Sequence, residues 1–292
     1  MKAIRAPLLT LPAAVVFLGT AVAAAEGSFF LWRAILALAG LVLLQSSLMF
    51  LNDYSDFHTG IDSHTSPTPF SGGSGMLGSG AIEPGDLYSA GIACLVMGSG
   101  ILMLLAWLID IRLLSFLLVG VFAVISYTEF LQRNALGEIF AALALGLLPV
   151  VGTTFIQTES YSMTCIAAGM VAAILSFNLL LLCEFPDFEA DILGGRKNLV
   201  IVLGRKAAGR LYSVLMALIY ALIVLAVAVK VFPILCLVSI TTVAISWKPI
   251  KWAWIEAGRS EITVGALAVN VATYLTTLTL LGAGFLGTVT VG

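Results

Sequence analysis

Carboxylates gather in two short stretches of an otherwise apolar chain. The first stretch, NDYSDFHTGID, covers residues 52–62, and the second, CEFPDFEAD, covers residues 183–191. An unpaired carboxylate inside hydrocarbon costs several kcal/mol, roughly 2.5 or more, so acids at the end of apolar runs are candidate functional residues. Carboxylate oxygens are hard ligands, which favour magnesium, manganese or calcium over zinc or copper. The candidate metal ligands are Asp53, Asp56, Asp62, Glu184, Asp187 and Asp191.

The spacing of these acids places several of them on shared helical faces. Residues three or four apart lie on the same side of a helix. Asp53 and Asp56 satisfy this rule in the first stretch, and Glu184, Asp187 and Asp191 follow at i, i+3 and i+7 in the second. The pattern predicts that each stretch directs its carboxylates in one direction.

Two further residues of the second stretch refine this prediction. Pro186 has no amide hydrogen for the preceding turn, so we expect a kink or an interruption of the helix there. Glu189 falls on the side opposite to the other acids, which predicts a solvated side chain. A broken helix suits a site where backbone and side chains must both reach an ion.

The composition excludes an ordinary soluble domain. The 292 residues are 60% hydrophobic and 10% charged, with a mean hydropathy of +1.09, whereas soluble domains carry about 25% charged residues. We therefore predict an all-α, polytopic membrane protein with a single domain over residues 1–292 and about nine helices around a central cavity. Apolar windows of about 20 residues, the length that spans a bilayer, lie near 8–25, 29–51, 87–109, 112–130, 137–157, 163–183, 211–229, 231–247 and 262–287.

The lysines and arginines predict the orientation. With a cytoplasmic N-terminus, eleven of the 14 basic residues fall on the cytoplasmic side, which is a clear positive-inside bias. Both acidic stretches then share that side, so they are expected to form one site, in a prokaryotic cytoplasmic membrane. The first thirty residues also fit a cleaved secretory signal, because Lys2 and Arg5 precede an apolar run that ends in AVAAAEG. That alternative stays open.

Two polar loops follow the acidic stretches. The first, within residues 52–86, is rich in Gly, Ser, Pro and Thr, and it fits either a flexible linker or a cover whose backbone amides cradle phosphate oxygens. The second, residues 184–210, carries five of the basic residues, which makes an anion its natural partner. Arg133, Arg196 and Lys197 are the candidates for balancing a diphosphate bound beside divalent ions.

Other functions use similar residues. A cation channel or proton transporter also needs intramembrane acids, but the acids here gather at one interface, and the apolar helices contain few polar residues that could line a path. A single aspartate is easily explained as a solvated acid of a surface loop. Two clusters of acids on the same face of the membrane are not well explained in this way. An enzyme acting on a lipid diphosphate fits best, and a cation or proton transporter remains the alternative hypothesis.

At this point the chain resembles the UbiA-type intramembrane aromatic prenyltransferase family. NDYSD followed by GID is similar to the first Asn-Asp-x-x-Asp motif of that family, and DFEAD is similar to its second Asp-x-x-x-Asp motif. The segments RAPLLTLP, SYTEFLQRNALGEIFAALALGLLPVVGT and GGRKNLVIVLGRKAA also resemble family segments, so the likeness covers about residues 5–210. The branch it resembles most includes the 1,4-dihydroxy-2-naphthoate polyprenyltransferases of menaquinone synthesis.

The resemblance implies Mg²⁺-dependent transfer of a prenyl group from a polyprenyl diphosphate to an aromatic acceptor. It assigns the catalytic, metal-holding role to Asp53, Asp56, Asp187 and Asp191, and it adds Asn52 to Arg133, Arg196 and Lys197 as diphosphate-binding residues. The expected partners are the two substrates and membrane lipid, with no nucleic acid and no obligatory protein partner.

Two features depart from the family pattern. No lysine or arginine occurs between Arg33 and Arg112, although many relatives carry a basic residue after the first motif. Glu184 stands where relatives of this branch often have asparagine, which adds negative charge for a metal to neutralise. Candidate residues on the acceptor side crowd the fourth cytoplasmic turn: Tyr127, Asn134 and Glu138, with Gln132 and Arg133 beside them.

Overall fold

A computed structural model describes residues 8–65, 67–259 and 261–289, and this part of the chain is helical without a β-strand. Nine of its helices are long and apolar enough to cross a membrane, which confirms the predicted fold class and helix number. Lys2 and Arg5 lie outside the described residues. The helices are α1 (Leu8–Ala25), α2 (Leu31–Thr59), α3 (Pro84–Leu108), α4 (Leu113–Leu131), α5 (Gly137–Thr158), α6 (Met163–Cys183), α7 (Arg205–Ala228), α8 (Ile234–Ile255) and α9 (Val264–Val289).

Helix α2 extends well beyond the apolar window that predicts it. The hydropathy pattern ends at residue 51, but the helix continues to Thr59 and carries Asp53 and Asp56 in its last turns, whereas Asp62 lies in the following 3₁₀ turn from Ile61 to His64. Gly60 ends it with a φ of +77°, a left-handed conformation that glycine adopts without a steric penalty. Hydropathy indicates only the part of a helix that crosses the hydrocarbon layer, and the helix itself continues beyond that part. Asp53 and Asp56 therefore lie on a rigid helix.

The predicted break at Pro186 is confirmed. Helix α6 ends at Cys183, and after Pro186 a separate short helix begins at Phe188 and ends at Leu193. Pro233, with an extended ψ of 151°, precedes α8, whose first part from Ile234 to Thr242 is a 3₁₀ helix. The first interruption turns the second acidic stretch back toward α2, where the two motifs meet.

Helix α1 lies inside the bundle rather than at its edge. Leu18 and Val22 are fully buried, and the Thr154 hydroxyl of α5 donates a 3.0 Å hydrogen bond to the Gly19 carbonyl. Side chains such as Trp107 and Ile111 are 79% and 69% exposed, as expected for residues that face lipid. The chain is an integral membrane protein whose core joins α1 to the C-terminal helices.

The predicted central cavity consists of two adjoining parts. One part comprises about 1210 Å³ of space, partly open to the outside, between apolar side chains of α1–α6. The other comprises about 980 Å³, also partly open, where α2 and α6 end beside the acidic stretches. Several residues line both parts, so an apolar chamber opens directly onto an acidic one. The shared residues are Leu11, Gln45, Leu48, Tyr127, Leu145 and Leu180.

Candidate active site

Helix α2 supplies the first group of acidic residues. Asp53 and Asp56 are both buried and line the acidic chamber from one face of the helix, as their spacing predicts. The Asn52 amide nitrogen donates to Asp56 Oδ2 at 2.9 Å, and the Thr128 hydroxyl donates to Asn52 Oδ1 at 3.1 Å. Thr128 belongs to a π-helical turn, Tyr127–Leu131, and such turns are frequent at functional sites. Thr128 thereby fixes which end of the Asn52 amide faces Asp56.

The second stretch meets the first after the break at Pro186. Asp191 is buried, and its Oδ2 accepts a 2.8 Å hydrogen bond from the Asn198 side-chain amide. The Asn198 oxygen accepts from the Ile201 amide at 3.0 Å, which caps the short helix from Leu199 to Leu203. Asn198 therefore ties the carboxylate of Asp191 to a helix end.

Arg196 joins the two acidic stretches. Its guanidinium pairs with Asp56 through one nitrogen and with Asp191 Oδ1 at 2.9 Å through the other. Only 8% of this side chain is exposed. Burial disfavours its charge, but the Asp56 and Asp191 carboxylates outweigh that effect and raise the pKa of Arg196 above its ordinary value. Arg196 is thus a permanent cation between the two motifs.

The glycine-rich loop after α2 lies against the same acids. The Gly72 amide donates to Asp187 Oδ2 at 3.0 Å, and the Ser74 amide donates to Asp53 Oδ2 at 3.2 Å. Gly73 has a φ of +72°, and a Cβ at this position would come within 2.6 Å of Asp62 Oδ1, so a larger residue does not fit. The loop covers the acidic chamber, and these two amides bind carboxylates rather than lying open as a phosphate cradle.

Glu184 and Glu138 form a buried acidic pair beside this network. Glu138 is fully buried, and its Oε1 accepts from the Leu199 amide at 2.5 Å. Glu184 is 5% exposed, and within the described ranges only the carboxyl group of Glu138 lies within hydrogen-bonding reach of its oxygens. Burial, followed by the charge of Glu138, raises the pKa of Glu184 well above its usual value. Burial also raises the pKa of Asp191 to about 7, against the opposing effect of Arg196.

Four residues that the sequence pointed to do not line the acidic chamber: the buried Glu138, and the exposed Arg133, Asn134 and Lys197. Arg133 is exposed and pairs with Glu129 at 3.2 Å, one turn earlier in the chain. Asn134 and Lys197 are also exposed, and none of the three lines the chamber. The structure therefore does not bring Arg133 and Lys197 together with the acids, and the roles predicted for them toward diphosphate and for Asn134 toward the acceptor stay predictions. Arg133 and Lys197 were predicted because they carry positive charge close to the motifs in the sequence. The direction of a side chain in a turn, however, depends on backbone dihedral angles, which cannot be seen in the sequence.

The other predicted residues do converge. Asn52, Tyr127, Arg196 and all six candidate metal ligands line the acidic chamber, and Tyr127 also lines the apolar one. Glu189, with 79% of its side chain exposed, faces away as its spacing predicts. Sequence reasoning missed Thr128 and Asn198. Asn198 had a detectable signal, since asparagine directly before the apolar run LVIVL is a typical N-cap, whereas a π-helical turn at Thr128 leaves no sequence pattern.

The donor set fits a hard divalent cation. The chamber presents six carboxyl groups against Arg196, the single basic side chain that the described part of the chain contributes to its lining. The oxygens of Glu184, buried beside a second carboxyl group and without a basic partner among the described residues, are the kind of group that a cation would satisfy. Among residues 8–65, 67–259 and 261–289, no three histidine, cysteine or acidic side chains converge closely enough to form a complete metal centre by themselves.

Comparison with known proteins identifies the class to which this fold and site belong. The sequence profile of the UbiA prenyltransferase family matches residues 12–265. The chain therefore belongs to the UbiA prenyltransferase family. The helical fold agrees, since a UbiA homologue from Aeropyrum pernix K1 superposes with a TM-score of 0.68 at 18% identity, over 96% of this chain and 97% of that one. A UbiA homologue from Archaeoglobus fulgidus, bound to DMAPP and Mg²⁺, superposes at 0.60 with 17% identity, over 96% and 99%.

Relatives in sequence share one name, 1,4-dihydroxy-2-naphthoate octaprenyltransferase. The protein from Haemophilus influenzae is 30% identical over 67% of this chain, and the one from Bacillus subtilis is 29% identical over 62%. These matches span 65% and 58% of the lengths of the two relatives. The protein from Mycobacterium leprae is 27% identical over 83% of this chain and 81% of its own length.

Proposed function

We propose that this protein transfers a prenyl group from an allylic polyprenyl diphosphate to an aromatic acceptor, 1,4-dihydroxy-2-naphthoate, and releases diphosphate in a Mg²⁺-dependent reaction. The acceptor is proposed from the shared name of the relatives, and the diphosphate and metal from the DMAPP and Mg²⁺ bound by the Archaeoglobus fulgidus homologue. The observation that carries the proposal is the junction of an acidic chamber with an apolar one. Such a junction matches a substrate with a charged head and a hydrocarbon tail.

Four aspartates are proposed to hold the metal ions: Asp53, Asp56, Asp187 and Asp191. Asp62 and Glu184 line the same chamber and would add negative charge and further oxygen ligands. Mg²⁺ in proteins is usually bound by a few carboxylates together with substrate phosphates. When bound, Mg²⁺ neutralises the diphosphate and makes it a better leaving group.

Arg196 is proposed to bind diphosphate oxygens as a permanent cation in the chamber. Its planar guanidinium offers several donors, which suits phosphate recognition better than a flexible ammonium group. Asn52 is the neighbouring neutral donor, and Thr128 holds its amide in place. Together they would stabilise the charge that develops on the departing diphosphate, where preorganised donors have their largest catalytic effect.

The apolar chamber is proposed to hold the isoprenoid tail and to keep the reacting carbon away from water. Departure of diphosphate breaks the bond between C1 and oxygen and leaves an allylic cation, which water would otherwise quench. The electron-rich ring then attacks C1, forms a carbon–carbon bond and loses a proton. Tyr127 lies at the junction of the chambers and is proposed to contact the acceptor ring, with Glu138 as a buried acid nearby.

We further propose that the whole chain acts as one prenyltransferase domain in a bacterial cytoplasmic membrane, with the acidic chamber on the cytoplasmic side. The positive-inside bias supports this orientation. Cysteine substitutions at the exposed loop positions Glu189 and Ser160, which lie on opposite sides of the membrane in this orientation, would test it. A membrane-impermeant thiol reagent applied to right-side-out vesicles should label Ser160→Cys without labelling Glu189→Cys; the reverse pattern contradicts the orientation.

The reaction is tested with purified protein in detergent or nanodiscs. Incubation with labelled polyprenyl diphosphates, a panel of aromatic acceptors and Mg²⁺ should yield a prenylated product that mass spectrometry identifies. Diphosphate release should require both the acceptor and the metal. Robust turnover in EDTA, or no product with any acceptor, contradicts the proposal. The chain belongs to a prenyltransferase family, and no specific observation favours the alternative function of a cation or proton transporter.

A further inference from the structure

Gln45 is a buried polar residue in the middle of α2. It is 7% exposed, and it lines both the apolar chamber and the acidic chamber. Its Oε1 atom is buried, and no donor among residues 8–65, 67–259 and 261–289 reaches that atom. A buried amide oxygen without a hydrogen bond has lost its hydration without compensation. We therefore expect Gln45 to bind a polar group that the protein itself does not provide.

A second buried glutamine shows how this fold treats an amide with a structural role. Gln157, near the end of α5, is 2% exposed. Its Oε1 accepts from the Phe30 amide at 2.7 Å, and its Nε2 donates to the Phe30 carbonyl at 3.1 Å. Both ends of the Gln157 amide are satisfied, and they tie α5 to the start of α2. Gln45 is equally inaccessible to solvent, but its oxygen has no such role in the fold.

The position of Gln45 places its amide close to the reaction. Gln45 precedes Asn52 by seven residues, which is about two helical turns, so both residues lie on the same face of α2. At about 1.5 Å per residue, the two are roughly 10.5 Å apart along the helix axis. Leu48 on α2 and Tyr127 of α4 also line both chambers. The amide therefore lies at the junction of the chambers, deeper in the bundle than the first acidic motif.

The surroundings of Gln45 limit the kind of group that it can bind. Among the described residues, no acidic or basic side chain lines the apolar chamber, and the polar side chains there besides Gln45 are Tyr127 and Thr153. A charged group at this depth would lack a counter-ion, so its burial would be costly. The group that satisfies Gln45 is therefore uncharged.

Of the two substrates in the proposed reaction, only the acceptor can supply such a group. An isoprenoid tail is a hydrocarbon and offers no hydrogen bond. The diphosphate is charged, and its proposed ligands lie at the level of Asn52 and Arg196. An aromatic acceptor next to C1 carries hydroxyl groups. A hydroxyl both donates and accepts, so it can satisfy either end of the Gln45 amide.

We propose that Gln45 binds a phenolic hydroxyl of the aromatic acceptor and thereby selects acceptors with a hydroxyl at that position. This inference rests on the proposed function, because it places the acceptor ring at the junction of the chambers. An acceptor that lacks the hydroxyl leaves the amide buried and unpaired. Sites that hydrogen-bond a substrate hydroxyl reject analogues without it for this reason.

The variant Gln45→Met removes the amide and keeps an unbranched side chain of similar length. In the ligand-free protein it replaces an unpaired polar group by an apolar one, so the melting temperature should stay the same or rise. Gln157→Met is the matched control, because it removes an amide with two partners. It should lower the melting temperature by at least ~4 °C.

Acceptor selectivity is measured with 1,4-dihydroxy-2-naphthoate and two analogues, 1-hydroxy-2-naphthoate and 4-hydroxy-2-naphthoate. Calorimetry on the full chain in nanodiscs, with Mg²⁺ and an unreactive prenyl thiolodiphosphate, gives the dissociation constants. The wild-type protein should bind one analogue at least ~tenfold more weakly than the dihydroxy compound, since that analogue lacks the contacted hydroxyl. Gln45→Met should weaken binding of the dihydroxy compound and of the other analogue by about tenfold, and binding of the first analogue by less than ~3-fold.

Steady-state kinetics give a second measure of the same contact. Gln45→Met should lower kcat/KM for 1,4-dihydroxy-2-naphthoate by about tenfold, while the KM for the prenyl diphosphate changes by less than ~3-fold. Gln157→Met should keep the wild-type order and ratios of the three aromatic compounds. Gln45→Leu serves if the methionine variant does not fold, and the same pattern is expected for it.

Failure of this inference and failure of the proposed function give different results. If the wild-type protein prenylates 1,4-dihydroxy-2-naphthoate but Gln45→Met weakens binding of all three compounds equally, or of none, the hydroxyl contact is wrong. A lower melting temperature of Gln45→Met together with an equal loss for all three compounds would instead assign Gln45 a structural role. If the wild-type protein releases diphosphate with no acceptor, the proposed function itself fails.

Discussion

Replacing Arg196 by glutamine tests the electrostatic core of the site. The guanidinium pairs with Asp56 and Asp191, and only 8% of it is exposed. Removing one partner of a buried ion pair typically costs about 3–5 kcal/mol, because the remaining charge loses its compensation. Here two buried carboxylates lose their shared cation, so we expect the free energy of unfolding to fall by at least about 3 kcal/mol.

The expected shift in melting temperature follows from this value. One kcal/mol corresponds to about 2–4 °C for chains of 150–250 residues, so Arg196→Gln should lower the melting temperature by at least ~6 °C. The same variant should lower kcat/KM at least ~10²-fold, equivalent to about 2.7 kcal/mol, because the diphosphate loses its cationic partner. Arg196→Lys keeps a charge but not the planar fork, and it should give intermediate values in both measurements.

Lys197→Gln is the matched control, one residue further along the chain. The Lys197 side chain is exposed, and its backbone amide donates to the Gln132 carbonyl, a contact that the substitution preserves. Exposed substitutions of this kind usually change stability by less than about 0.5 kcal/mol. Thermal melting is followed in detergent with EDTA, and kcat/KM with Mg²⁺. Equal melting temperatures for Arg196→Gln and Lys197→Gln would refute the ion-pair bridge.

Further predictions concern the acids, a positioning hydroxyl and the metal. Asp187→Ala should lower kcat/KM at least ~10²-fold, whereas Glu189→Ala, on the exposed face, should lower it less than ~3-fold; equal losses would contradict a site formed by one face. Thr128→Val should lower kcat/KM by about tenfold, roughly the 1.4 kcal/mol of one hydrogen bond, and Thr128→Ser should restore it. If serine gives no rescue, the hydroxyl does not act by orienting Asn52. EDTA should abolish product formation and added Mg²⁺ should restore it, which steady-state rates in the two buffers measure.

Removal of a carboxylate from an acid-rich site could be expected to stabilise the protein by relieving repulsion. The structure predicts that removing different acids has different effects on stability. Asp56 and Asp191 already share Arg196, so their removal also takes a partner from a buried cation. Glu184 lies beside a second buried acid, Glu138, and no basic side chain of the described residues pairs with it. Relief of repulsion therefore applies to Glu184 rather than to the acids as a group.

The sequence by itself determined the architecture and the two acidic motifs. Helix number follows from hydrocarbon thickness, because each crossing needs about 20 apolar residues and the chain contains nine such windows. The break at Pro186 follows from the missing amide hydrogen, and the exposure of Glu189 follows from helical spacing. These properties depend on local covalent chemistry and on periodicity, and both can be seen in the order of residues.

Only the tertiary structure decided which residues complete the site. Arg196 is buried between two carboxylates while Lys197 is exposed, although both are basic and adjacent, because neighbouring side chains outside a helix point in different directions. Thr128 reaches Asn52 across 76 positions through a π-helical turn, and side chains of six helices together line the apolar chamber. Contacts between distant segments depend on how whole helices pack, and no local pattern of residue types encodes that packing.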